Sequence, residues 1–200
     1  MIPPIEVCKL INKALNAHAA NAEGLVNDME AGGTIQAFKL AFNNWASVLM
    51  FYLDQQENLL LPSLMHMSSQ NEQKGTPLSL RDVILSNETH WHLNLMNMIE
   101  EVFVVLNEDI GSTTVIPRTR QHLLEKTVQL GIAQKDHLEY EQFLLMPIVL
   151  EFIDQDTQME VVKGLLIDDL ADEPRWVIEW LSIELSEEEN NQIAKIEKQF

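Results

Sequence analysis

The run His137-Leu-Glu-Tyr-Glu141-Gln-Phe-Leu-Leu-Met-Pro147 sets an imidazole and a carboxylate one helical turn apart, then passes into an apolar segment that closes on proline. Residues four apart share a helix face, so both side chains project the same way. If that face looks into a helix bundle, two ligands suited to a transition metal point into a dry interior, where each needs a partner to offset its desolvation. The same frame occurs earlier, at Tyr52-Leu-Asp-Gln-Gln56-Glu-Asn-Leu-Leu-Leu-Pro62, where Leu53, Leu59, Leu60 and Pro62 match Leu138, Leu144, Leu145 and Pro147. The ligand positions differ. Tyr52 stands in the place of His137 and Gln56 in that of Glu141, which keeps size and hydrogen-bonding capacity but removes the imidazole and the charge.

Outward from these two segments the apolar periodicity is helical almost throughout. A first helix follows Pro3-Pro4, with Leu10, Ile11, Leu15, His18, Ala22, Leu25 and Val26 on one stripe, and is predicted to end near Gly32-Gly33. A second opens around Thr34, carries Phe38, Phe42, Trp45, Leu49, Tyr52 and Leu60, and runs toward Met67, with Pro62 expected to bend or end it. Ser68 to Pro77 reads as a loop, and Ser79 with Asp82 resembles a capping box for a third helix that reaches about Asn107. The stripe of that helix, Leu85, Leu95, Met96, Ile99, Phe103 and Leu106, includes His92, with Glu88 one turn earlier on the same side and His90 pointing elsewhere. A connection through Gly111 leads to Pro117 and a fourth helix, whose stripe of Leu123, Leu130, His137, Glu141, Leu144 and Leu145 holds the opening motif, and on which Gly131 is expected to permit a close helix approach.

Beyond Asp154 shorter acidic helices are expected, with Thr157 and Glu160, then Ser186 and Glu189, as capping boxes, and Pro174 near a further helix start. Trp176 and Trp180, one turn apart, read as a cover for the bundle or for a partner chain. His66 and His122 read as surface or boundary residues, and the nine methionines as core filling.

Composition bounds the function classes. Two hundred residues, 46% of them apolar, suffice for one core, and 31 Asp and Glu against 13 Lys and Arg argue against binding to nucleic-acid phosphates or anionic lipid. The lone Cys8 excludes an intrachain disulfide framework, and the N-terminus has neither a basic region nor a long apolar run, so a cytoplasmic protein is expected. No stretch reaches the roughly 18 apolar residues of a membrane span. Gly-rich phosphate loops, nucleophile elbows and cysteine zinc pairs are all missing from the sequence.

If the four main helices run up, down, up, down, facing residues of an antiparallel pair keep a nearly constant index sum. Matching His92 with His137 then also matches Glu88 with Glu141, and two histidines and two carboxylates close around one point. Matching His18 with Tyr52 is expected to bring the first pair to the same depth. An inward His, with Glu and His pairs on facing helices, is how carboxylate-bridged metal centres are built in bundles. Glu57, next to Gln56, is turned away by roughly 100° and does not replace it.

On these residues the chain resembles the hemerythrin-like family, the HHE cation-binding domains, over roughly residues 5 to 155. The family pattern has a His on the first helix, His-x-x-x-Glu followed by an apolar run and Pro on the second, a His on the third, and a second His-x-x-x-Glu with the same run on the fourth. His18 matches the first element, His92 or alternatively His90 the third, and His137 with Glu141 and Pro147 the fourth. The resemblance implies an all-α, up-down-up-down four-helix bundle over 1–155, with 156–200 as a helical extension packed on it. It also implies a non-haem iron centre for oxygen binding, iron sensing or redox protection.

Tyr52 and Gln56 depart from that pattern by one imidazole and one bridging carboxylate. Two ions a few ångströms apart repel strongly unless anions bridge them, so at most one iron or other divalent ion is expected, although a Tyr52 phenolate can ligate ferric iron. Alternatively the chain is a metal-free descendant, a binding or scaffolding module whose interior is satisfied by His, Tyr and Gln hydrogen bonds. The partners expected are a metal ion and dioxygen, in a monomer or homodimer. An open coordination position beside Tyr52 would suit oxygen activation, but no substrate-recognition motif accompanies it.

Overall fold

The stripes become helices wherever the chain is described. The structure is a computed structural model that describes residues 3–29, 35–70, 78–108 and 116–200, and within these the side chains other than those of 67–70, 78–82 and 108. The expected helix boundaries at Gly32-Gly33 and Thr34, residues 71–77 of the expected Ser68 to Pro77 loop, the side chains of Ser79 and Asp82, and the Gly111 connection lie outside the described residues, while Ser68 to Gln70 are helical rather than loop. No strand occurs among the described residues.

A short 3-10 turn, Pro4–Val7, leads into α1, Cys8–Asn27. Helix α2, Gln36–Gln55, continues through a π turn, Gln56–Leu60, into α3, Leu61–Gln70. After α4, Leu78–Glu108, helix α5, Pro117–Tyr140, continues through a second π turn, Glu141–Leu145, into α6, Met146–Phe152. Three shorter helices follow: α7, Gln155–Leu166, α8, Trp176–Ser182, and α9, Glu187–Glu197.

The two π turns begin at Gln56 and at Glu141, equivalent positions of the sequence repeat, and each is followed by proline as the second residue of the next helical segment, Pro62 or Pro147. A proline ring in a straight helix collides with the carbonyl four residues back. Here that carbonyl belongs to Asn58 or Phe143, inside the wider π turn, so the chain stays helical past Pro62 instead of ending there. What is shared between the copies is therefore a backbone device, and each copy places it at the residue that faces the interior.

Helix α1 packs on α2 and α5, and α4 packs on α5 and on α2. The α4–α5 pair is antiparallel: Asn87 meets Tyr140 and Glu101 meets Lys126. Burial follows the stripes except at Met96 and at Leu144, which lies in the second π turn; both are exposed, whereas Leu15, Phe38, Phe42, Trp45, Leu49, Leu95 and Leu130 are at or below 1% exposure, each contributing about 1.5–3 kcal/mol from apolar area removed from water. A polar tie crosses this core: Trp45 Nε1 donates to Gln134 Oε1 at 2.6 Å, and Gln134 Nε2 donates to Asn16 Oδ1 at 3.2 Å. Gly131 faces Ala19 of α1, where an added Cβ would make ordinary contact at 3.9 Å, so that approach does not depend on glycine.

The C-terminal helices share the same core, through Val161, Val162, Leu165, Leu166, Val177 and Leu181. Helix α7 is capped by Asp154, whose side chain accepts from Thr157 N at 2.9 Å, so Thr157 sits inside the first turn and is not the cap its sequence suggested. The Ser186–Glu189 capping box does form on α9, and Glu189 also pairs with Lys13 of α1 at 2.6 Å. An added Cβ at Gly164 would collide with Leu59 Cδ1, which seats α7 against the first π turn. No helix among the described residues is long and apolar enough to cross a membrane.

Candidate metal centre

Four buried side chains from α4 and the α5 region, Glu88, His92, His137 and Glu141, bring one ligand atom each within 4.8 Å of one another. Glu88 and His92 are one turn apart on α4; His137 and Glu141 are one turn apart where α5 enters its π turn. Glu88 Oε2 lies 3.0 Å from His137 Nε2 and 3.6 Å from His92 Nε2, and Glu141 Oε1 lies 3.4 Å from His137 Nε2. The two imidazoles meet edge to face with centroids 5.1 Å apart.

The interior works against charge on every one of these groups. Burial raises the Glu88 carboxyl to about 8, helped by the negative charge of Glu57. Burial likewise raises Glu141 to about 7, against the opposing pull of His137. His92 is lowered to about 4 by burial and then by His137, and burial lowers His137 as well. Without a cation the centre thus tends toward neutral imidazoles and protonated acids.

Hydrogen bonding leaves the cluster incomplete. Glu88 Oε1, His92 Nε2, His137 Nδ1 and Glu141 Oε1 are buried atoms without a hydrogen-bond partner, a state that costs about 1–3 kcal/mol per group. A divalent cation favours the deprotonated form of all four side chains and offers a partner to the unpaired atoms that face the cluster, His92 Nε2 and Glu141 Oε1 among them. Two imidazoles and two carboxylates are a donor set that fits first-row transition metals.

Tyr52 also reaches the cluster, its hydroxyl donating to Glu141 Oε2 at 2.9 Å, and desolvation followed by the Glu141 charge holds the phenol well above its ordinary pKa. Gln56 is fully buried; its amide stands close enough to Glu141 to favour the carboxylate, while neither amide atom reaches hydrogen-bond geometry. His90 is exposed on α4, so of the two third-helix candidates His92 is the one at the cluster.

His18 does not join these residues. Its ring stacks on Trp180 with centroids 4.0 Å apart, and its Nε2 is 3.8 Å from Glu184 Oε1. The α1 residue level with Tyr52 is Asn12, whose Oδ1 is 3.4 Å from the Tyr52 hydroxyl, and Cys8 also lies beside Tyr52, its thiol pushed up by burial. Asn12 and His18 are six positions apart, or about 9 Å of helix rise. An apolar stripe specifies a face and leaves the axial level open; the match of His18 to Tyr52 rested on the stripe alone.

Two neighbours, Asn12 and Cys8, have no place at the centre in the sequence reading, and Glu57 enters it only as turned away from the position of Gln56. Asn12 and Cys8 carry no signal beyond interrupting or flanking an apolar face. Glu57 does carry one, because it adjoins Gln56 in the repeat: its Oε1 lies 2.7 Å from His92 Nδ1. Beside that contact is a cavity of about 280 Å3, walled by Met50, Leu53, Leu93 and Met96 with Asp54, Thr89, Glu57 and His92. Comparison of the chain with models of known families, with curated proteins and with solved structures finds no match.

Proposed function

We propose that this protein is a hemerythrin-like metal-binding protein, in which one non-haem iron or other divalent ion is held inside an up-down-up-down four-helix bundle by His92, His137, Glu88 and Glu141. The observation that carries this reading is the convergence of four buried ligand atoms within 4.8 Å, on side chains each of which has one buried polar atom without a hydrogen-bond partner. Such a cluster is expensive to bury empty and is satisfied by a cation.

One ion is favoured over two because the positions around a second ion are neutral: Tyr52, Gln56 and Asn12 replace what would be imidazoles and a bridging carboxylate. A bound iron would supply a redox-active Lewis acid, suited to oxygen or iron sensing or to redox protection. The chain's part is to hold the ion, keep bulk water from Glu88, His137 and Glu141, which are fully buried, and leave the cavity at His92 as the approach for a small molecule such as dioxygen.

A metal-free binding or scaffolding module is the second reading, favoured by the Tyr52 to Glu141 hydrogen bond, which satisfies one carboxyl oxygen with no ion at all. Metal analysis of untagged protein, followed by anaerobic titration with ferrous iron, separates the two. One equivalent per chain is expected; no uptake of ferrous, zinc or manganous ion would leave the metal-free module.

A further inference from the structure

Glu57 is the second residue of the first π turn, directly after Gln56. Consecutive residues of a helical turn point in directions roughly 100° apart, and here the two serve different neighbours: Gln56 is enclosed near Glu141, whereas Glu57 reaches across to α4. Its Oε1 is 2.7 Å from Nδ1 of His92; the His92 side chain is 4% exposed, that of Glu57 36%. The remaining nitrogen of that ring, Nε2, has no hydrogen-bond partner and lies 3.6 Å from Glu88 Oε2.

An imidazole binds a metal through one nitrogen while the other carries the proton, and a fixed acceptor on that N–H sets both tautomer and ring orientation. We propose that Glu57 is a positioning residue of the metal centre: its carboxylate accepts the Nδ1 proton of His92, which keeps Nε2 unprotonated and turned toward Glu88 and His137. Glu57 contributes no atom to the cluster itself; it acts through His92 from the wall of the adjoining cavity. The purpose of the contact rests on the metal-binding reading above, but the tautomer is a property of the metal-free chain and is measured without any ion.

The test uses the full chain with 15N-labelled histidine at neutral pH, in wild type, Glu57→Ala, Glu57→Gln and, as an exposed control, Glu139→Ala. In the metal-free samples His92 is expected in the Nδ1–H form in wild type and Glu57→Gln, whose amide oxygen still accepts, and as a mixture of tautomers in Glu57→Ala. Zinc and ferrous affinities of Glu57→Ala should fall roughly 10- to 100-fold, with Glu57→Gln and Glu139→Ala close to wild type. A wild-type His92 protonated on Nε2 overturns the proposal, as does unchanged affinity in Glu57→Ala or equal damage in both Glu57 variants. If wild type binds neither ion, the proposed function fails, and the tautomer spectrum of the same sample still decides the role of Glu57.

Discussion

The hydroxyl of Tyr52 donates to Oε2 of Glu141 at 2.9 Å, while the other oxygen of that carboxyl, Oε1, lies 3.4 Å from His137 Nε2. The residue that stands in the repeat where an imidazole is expected thus occupies one oxygen of the carboxylate supplied by the other copy. Glu141 is left with a single oxygen for the cluster. A carboxylate that gives one oxygen to each of two ions needs both of them, so the substitution at position 52 removes an imidazole and also occupies an oxygen that such a bridge would use.

The ligand assignment makes a direct prediction. His137→Ala should weaken ferrous or zinc binding by more than the roughly 100-fold that loss of an outer-shell partner produces, because it deletes a ligand from the cluster. His122→Ala should bind normally, since His122 is exposed beside Glu101 and Lys126, away from the cluster. Calorimetric titration of both variants checks this, and equal losses would show that the helix faces are misassigned.

His18 gives a second prediction, opposite to the one its family resemblance suggests. Because its ring stacks on Trp180, His18→Ala should leave metal affinity unchanged while lowering the stability of the fold by ~1 kcal/mol. Trp180→Ala empties a larger volume between α1 and α8 and should cost about 3–5 kcal/mol, again with the metal stoichiometry retained in whatever fraction is folded. A His18→Ala protein that no longer binds metal would place His18 among the ligands and remove the register described above.

That contrast shows which part of the architecture is written in the sequence. Helix faces were legible, since His92, His137, Glu88 and Glu141 all lie on apolar stripes and all are buried. The α4–α5 level was legible too, because one register satisfied two polar pairs at once. The α1–α2 level was not: a single polar pairing along a long stripe can slide by a turn or two without changing which face is buried, and Asn12, a neutral residue, proved to be level with Tyr52. The π turns were equally hidden, since nothing but the shared proline marks them, and they bring Gln56 and Glu57 to two different neighbours.

The metal-free protein should lose stability toward alkaline pH. A carboxyl raised on folding holds a proton that the unfolded chain has released, so stability falls as pH climbs between the two values: from 4.5 to about 8 for Glu88 and to about 7 for Glu141. A histidine lowered on folding has the reverse sign, so His92 adds stability as pH rises from about 4 to 6.5. The two effects oppose each other up to pH 6.5, and above it only the carboxyls remain. Urea unfolding of metal-free protein should therefore show a loss of ~1–2 kcal/mol between about pH 6.5 and 8. Saturating metal should abolish that loss, because the bound ion stabilises the ionised carboxylates. Stability that is flat or rising over this interval in the metal-free protein would show that Glu88 and Glu141 are not held protonated.

The last prediction concerns the neutral residues proposed to limit the centre to one ion. Tyr52 and Gln56 stand against Glu141, from α2 and its π turn, and Asn12 of α1 stands against the Tyr52 hydroxyl. Tyr52→His with Gln56→Glu restores the repeat to the form present at His137 and Glu141, releases Glu141 Oε2 and returns a bridging charge; Asn12→His adds an imidazole at the level where His18 is missing. The triple variant should take up two ferrous ions per chain where wild type takes up one, and after oxidation should gain the near-ultraviolet absorption of a bridged ferric pair. The double variant should hold its second ion more weakly, for lack of the α1 ligand. Metal-free, both should be less stable than wild type by ~1–3 kcal/mol, since each buries a further carboxyl without a full set of partners. Anaerobic ferrous titration reads the stoichiometry directly. Two ions in wild type would mean that Tyr52 and Gln56 do not block the second position, and a single ion in the triple variant would mean that something other than these three side chains closes it.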